Sequence, residues 1–167
     1  MRSELARMSS VSGRKPVWAT EAGFQTAVRS RDGQPPVSEK AGAVYLLRTF
    51  LEHFISGVRR TYAYELLDES AEPALRKSEQ HFGLLRHDFS PKPAYTALRN
   101  LLALMGPDQA RSGRLRNVRL GLPGRASGVR RLVLQRADGT VLVALWRLDS
   151  VWNRTTRRAG RPSPGAP

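Results

Sequence analysis

The side chains best placed for chemistry are carboxylates and phenols at the ends of short apolar runs. Glu21 follows the run PVWAT, residues 16–20, and precedes Gly23. A run this short, bounded by Pro and Gly, fits a buried strand. Glu21 then stands at its end, either as a solvated loop acid or as a group able to attack or exchange protons with a bound molecule. A second group, Tyr62, Tyr64, Glu65 and Asp68, closes another apolar stretch. The two tyrosines read as core or ligand contacts, and the two acids as solvated strand ends or ligand contacts. Trp18 sits mid-strand and reads as core. His53 lies beside Glu52 on a helix and reads as a surface or flank residue. His81 and His87 flank the phrase FGLL with no third ligand at metal spacing, so no zinc site is expected, and no cofactor is implied. Ser38 and Ser90 read as caps rather than nucleophiles. The absence of cysteine excludes disulfides, thiolate metal sites and cysteine nucleophiles.

The elements that must hold these groups follow from periodicity. Residues 2–12 can form a short helix. Residues 16–20 form a strand, and 25–36, with Gly33, Pro35 and Pro36, form a surface loop. Ser38 is the expected N-cap of a helix whose buried stripe is Val44, Leu47, Leu51 and Phe54, stopped at Gly57. Val58–Leu67 reads as the next strand, and residues 68–92 as a long loop with a small hairpin near Phe82–Leu85. Pro93 suits the first turn of a second strong helix, with Tyr95, Leu98, Leu102 and Met105 as its stripe. Helix and strand thus alternate over residues 2–105, the pattern of parallel α/β units. Further on, Val129–Arg136 and Thr140–Arg147 flank Asp138-Gly139, a hairpin signal. A two-residue turn there sets Leu134 opposite Val143 and Leu132 opposite Leu145, all on one face. Two strands are not stable alone in water, so the hairpin needs a neighbour. The expected division is 1–107, 111–152 as a partial β-rich domain, and 153–167 as a disordered basic tail.

The formal net charge is +14, and 13 arginines against two aspartates place most of it beyond residue 110. A solvated basic surface is the plain reading. The alternative is a basic β-rich module that binds nucleic acid or another polyanion, with Trp146 and Trp152 interleaved among the arginines. No stretch reaches the length of a membrane span. The N-terminus, MRSELARMSSVSGRK, lacks an apolar signal core; localisation stays open, including secretion of a longer parent chain.

Three phrases carry a family resemblance. KPVWATEAGF, residues 15–24, looks like the strand-7 segment of clan-A glycoside hydrolases. VSEKAGAVYLLRTFLEHFISGVRRTYAYELLDE, residues 37–69, is similar to their helix 7 and strand 8. HFGLLRHDFSPKPAYTALRNL, residues 81–101, resembles the segment leading into helix 8. Their order and spacing match as well. The resemblance implies an α/β chain: the C-terminal part of a (β/α)8 TIM barrel, about helix 6 to helix 8, followed by a partial β-sandwich-type domain. It implies hydrolysis of O-glycosyl bonds with retention, on a carbohydrate substrate, with Glu21 at the nucleophile position. Tyr64, Glu65 and Asp68 would contact sugar, in place of the Trp this family often carries there.

Retention needs a second carboxyl group, roughly 5–5.5 Å from the first. In the family it ends strand 4, usually in an Asn-Glu pair, and no Asn-Glu occurs in this sequence. The expectation is therefore a piece of a longer enzyme, with the missing barrel half upstream and no activity from this chain alone.

Overall fold

The computed structural model describes residues 10, 11, 13, 15–106, 121 and 128–160. Residues 2–9 and 12 of the expected helix at 2–12, the expected boundary at 107–111 and the end of the basic tail lie outside them. Strand β1 spans Trp18–Ala22, helix α1 Glu39–Ile55, strand β2 Arg60–Ala63 and helix α2 Pro93–Met105. A short 3-10 turn, Glu79–His81, interrupts the loop before α2. The order of strand and helix is the one the periodicity predicts. β1 and β2 run parallel, with Trp18 opposite Arg60 and Ala19 opposite Thr61. The described residues hold an α/β arrangement of small sheets and no closed barrel.

Local chemistry sets the helix ends. The Ser38 hydroxyl accepts from the backbone N–H of Ala41, and Glu39 occupies the first turn of α1. Gly57, at φ 86°, reverses the chain after α1 in a conformation that favours glycine. Pro93 opens α2, where a missing N–H costs nothing.

Burial of α1 differs from expectation. Ala41, Gly42, Ala43 and Leu46 are buried, whereas Val44 and Phe54 are exposed. The buried side is the one where the loop after β1 and the C-terminal segment lie. A Cβ on Gly42 would make an ordinary contact with Val37, at 3.5 Å. β2 is also shorter than the expected Val58–Leu67. Beyond Tyr64 the chain leaves β1 and pairs with the 82–85 segment: Glu65 N–H donates to Phe82 O, and Leu84 N–H to Glu65 O. Trp18, read as core, is half exposed beside Tyr62 and under the Arg60 guanidinium.

β3 (Val129–Gln135) and β4 (Val141–Arg147) form the expected antiparallel hairpin in a different register. Leu132 faces Ala144, Val133 faces Val143, and Leu134 faces Leu142. The reason lies in the turn. Arg136 N–H donates to Thr140 O, so three residues close it, with Gly139 at φ 86°. One extra residue moves Val143 and Leu145 to the opposite face, where both are exposed. The other face docks on α1 through Glu52. Its carboxylate takes a two-pronged bond from Arg130, at 2.9 and 2.7 Å, and a third bond from the Trp146 indole at 3.0 Å.

Residues expected to be disordered from 153 onward begin with an ordered turn. β5 (Trp152–Asn153) pairs with β6 (Arg158–Ala159). Trp152 is buried against Val37 and Ala41, and its indole N–H donates to Pro36 O at 2.9 Å. The Tyr45 hydroxyl accepts from the N–H groups of Val151 and Trp152. A single large aromatic thus anchors a segment whose composition alone argues against order.

Candidate functional site

Glu21 is exposed and lies one residue before the C-terminal end of β1. The chain then passes very close to the end of β2. Tyr64 N–H donates to Ala22 O at 3.0 Å, and a Cβ built on Gly23 would lie 1.9 Å from Tyr64 O. Only glycine fits at residue 23, and this close crossing sets the Glu21 and Tyr64–Glu65 strand ends side by side. The Tyr64–Glu65 peptide is cis. The Tyr64 ring packs edge-on against Phe82 at 5.4 Å.

Negative charge gathers here. Glu65 foremost, then burial, then Glu79, Glu69 and Glu21, push the Tyr64 phenol above its ordinary range. Tyr64 therefore stays a neutral hydroxyl, able to donate a hydrogen bond. Burial, followed by the charges of Glu69, Asp68 and Glu79, raises the Glu65 carboxyl, and Lys92 only partly opposes them. One Glu65 oxygen, Oε1, is buried without a hydrogen-bond partner. Glu21, Tyr64 and Glu65 thus form one neighbourhood at the C-terminal ends of the parallel pair, where functional groups of parallel α/β barrels sit.

Asp68 is placed differently from expectation. It is 3% exposed. Its Oδ1 accepts from Gly83 N–H at 2.8 Å and from Lys92 Nζ at 2.6 Å, and Oδ2 lies 3.6 Å from His81 Nδ1. These bonds make Asp68 a tie between the segment after β2, the 81–83 turn and the start of α2. Lys92, which sequence reasoning missed, is 2% exposed. Its ammonium also donates to Thr26 Oγ1 at 3.0 Å and His81 O at 3.3 Å, which uses all three of its protons. His81 Nε2 lies 3.3 Å from Glu72 Oε2. Burial would raise the Glu72 carboxyl, but the N–H groups of Arg76 and Lys77 and the His81 ring outweigh it and hold it low. The 65–92 loop is therefore a rigid base beneath Tyr64 and Glu65. His53 is half-buried and bonds Thr61 at 3.0 Å; it is a packing residue between α1 and β2.

No protein family's sequence profile matches the chain, and no curated relative matches it. Solved structures do. The fold is of the parallel α/β kind found within glycoside hydrolase barrels. A family 39 glycoside hydrolase from the gut symbiont Bacteroides cellulosilyticus WH2 superposes over 89% of this chain with a TM-score of 0.58 and 23% identity. A β-glucuronidase from Ruminococcus gnavus matches over 60% of the chain and 18% of its own length, at 24% identity and TM-score 0.45, too weak to bear on the argument. The chain spans 27% of the family 39 structure. The likeness to glycoside hydrolases drawn from three sequence phrases thus has a counterpart in the fold.

Proposed function

We propose that this chain supplies the last strands of a (β/α)8-barrel glycoside hydrolase, acting on O-glycosyl bonds with retention. The observation that carries the reading is the exposed Glu21 at the C-terminal end of a parallel strand, beside Tyr64, in a chain that matches a family 39 glycoside hydrolase over 89% of its length. Glu21 attacks the anomeric carbon as the leaving oxygen takes a proton from a second carboxyl group. Water, activated by that same second group, then releases the sugar from Glu21. The neutral Tyr64 hydroxyl donates to a sugar oxygen. Glu65, with its raised carboxyl, holds a proton longer than an ordinary glutamate and can donate or accept at the sugar. Asp68 and Lys92 serve by fixing the loop beneath them.

The second carboxyl belongs to the rest of the barrel, in a longer parent chain. Two features support this. Among the described residues β1 and β2 pair with no third strand, which leaves two open sheet edges. Trp18 and Tyr62 of the pair also expose large apolar surfaces. The β3–β4 hairpin is the start of an appended β-rich domain. The test has two arms. The purified 167-residue chain is assayed on aryl glycosides, with no turnover expected; turnover abolished by Glu21→Gln would overturn the incompleteness. Residues 15–106, grafted onto the preceding strands and helices of a family 39 barrel, should give turnover that Glu21→Gly abolishes and azide restores. Unchanged turnover after Glu21→Gly would overturn the role of Glu21.

A further inference from the structure

Four arginines line one concavity that does not include Glu21. Arg29 and Arg31 come from the loop after β1, Arg76 from the loop after β2, and Arg157 from the turn between β5 and β6. With Asp32 they line an open depression of about 810 Å³, a size suited to a small ligand or a few sugar rings. The convergence is built in. Arg29 N–H donates to Leu75 O at 2.9 Å, which ties the two loops together and brings Arg29 beside Arg76. Arg157 is locked by bonds to Val28 O at 2.6 Å and Ser30 O at 2.8 Å. The Asp32 carboxylate is engaged by the Ser30 hydroxyl and by Ser78 N–H. The guanidinium groups of Arg29, Arg31 and Arg76 are exposed and have no partner among the described residues. One occupied carboxylate therefore faces four guanidinium groups, and three planar forks are free for an anion.

Both loops leave the C-terminal ends of their strands, the side on which Glu21 lies. None of the residues lining the concavity is aromatic, so it offers no stacking platform for the bases of single-stranded nucleic acid. We infer that this concavity binds the carboxylate or sulfate groups of an acidic glycan, and that the substrate of the parent enzyme is an acidic rather than a neutral polysaccharide. The substrate class rests on the glycosidase reading; the anion site does not.

The 167-residue chain is titrated calorimetrically, at physiological salt, with an oligogalacturonate, a sulfated oligosaccharide of equal length, a neutral xylo-oligosaccharide, inorganic sulfate and single-stranded DNA. At least one acidic oligosaccharide is expected to bind about tenfold or more tighter than the neutral one, as lost charge-assisted forks imply. The comparison of the first two tells carboxylate from sulfate. Arg29→Gln combined with Arg76→Gln should weaken that binding by about tenfold or more, whereas Arg99→Gln, on the exposed side of α2, should leave it unchanged. Circular dichroism should be the same for all three proteins, since each arginine is exposed. Equal affinity for acidic and neutral sugars, no binding to either, binding of DNA or free sulfate as tight as that of the acidic sugar, or a double variant that binds normally would each overturn the proposal. Binding is read without hydrolysis, so this result stands apart from whether Glu21 is a nucleophile.

Discussion

The ammonium of Lys92 lies 2.6 Å from Oδ1 of Asp68, and neither side chain is more than 4% exposed. The pair joins the start of α2 to the segment that follows β2. It also bonds Thr26 and Gly83, so it gathers four points of the chain beneath Tyr64 and Glu65. Removing one partner leaves the other as an uncompensated buried charge. Lys92→Met is expected to cost about 3–5 kcal/mol of folding stability, read as a lower urea midpoint. A loss below about 1 kcal/mol would mean the pair is solvated like a surface pair.

Gly23 should tolerate no side chain. Its Cβ position falls 1.9 Å from Tyr64 O and 3.4 Å from the Phe82 ring, so the neighbour that must move is backbone. Gly23→Ala should destabilise by about 1–3 kcal/mol or more. Gly121→Ala, where nothing lies within 4 Å, is the matched control and should differ little. Equal thermal midpoints for the two variants would contradict the close crossing.

Glu65 sets a pH dependence whose sign can be worked out. Burial and the neighbouring acids raise its folded pKa above the unfolded value of 4.5. Folding therefore favours the protonated form. This residue costs nothing below the unfolded pKa, and stability is lost as pH rises from there through the raised folded pKa. Glu65→Gln should flatten that part of the stability–pH curve and raise the thermal midpoint at neutral pH. A variant less stable than the parent chain at pH 7 would show that the ionised carboxylate is stabilised in the fold.

Glu52 couples the β3–β4 hairpin to α1 through Arg130 and Trp146. Glu52→Ala strands an indole N–H and a guanidinium, at about 1–3 kcal/mol. Hydrogen exchange should accelerate in Val129–Arg147 more than in α1. Uniform acceleration across both would place the coupling elsewhere.

Local signals were legible in the sequence. Ser38, Gly57 and Pro93 cap or open helices through bonds within a few residues, so their roles can be read without knowing the fold. The strand–helix alternation was legible for the same reason. Choices made by distant chain were not. Which side of α1 is buried depends on Val37 and Trp152, the latter more than a hundred residues away. The β3–β4 register turned on one residue of loop length, which a two-residue reading of Asp138-Gly139 misplaces. Asp68 looked like a strand-end acid because its partner, Lys92, lies 24 residues on in a loop with no periodicity. Glu21 is legible as a strand-end acid from its context, and as a nucleophile position only through the resemblance of KPVWATEAGF to clan-A glycoside hydrolases; in the fold it is exposed.

The central claim is that Glu21 occupies the nucleophile position of a retaining glycosidase. A mechanism-based 2-deoxy-2-fluoroglycoside forms a long-lived ester with the attacking carboxylate. Incubated with the barrel that carries residues 15–106 and then digested, it should add one fluorosugar to the peptide containing Glu21, with the label on Glu21 itself. A label on any other carboxylate, or full turnover of the fluoroglycoside's parent sugar by the Glu21→Gln protein, would contradict the account.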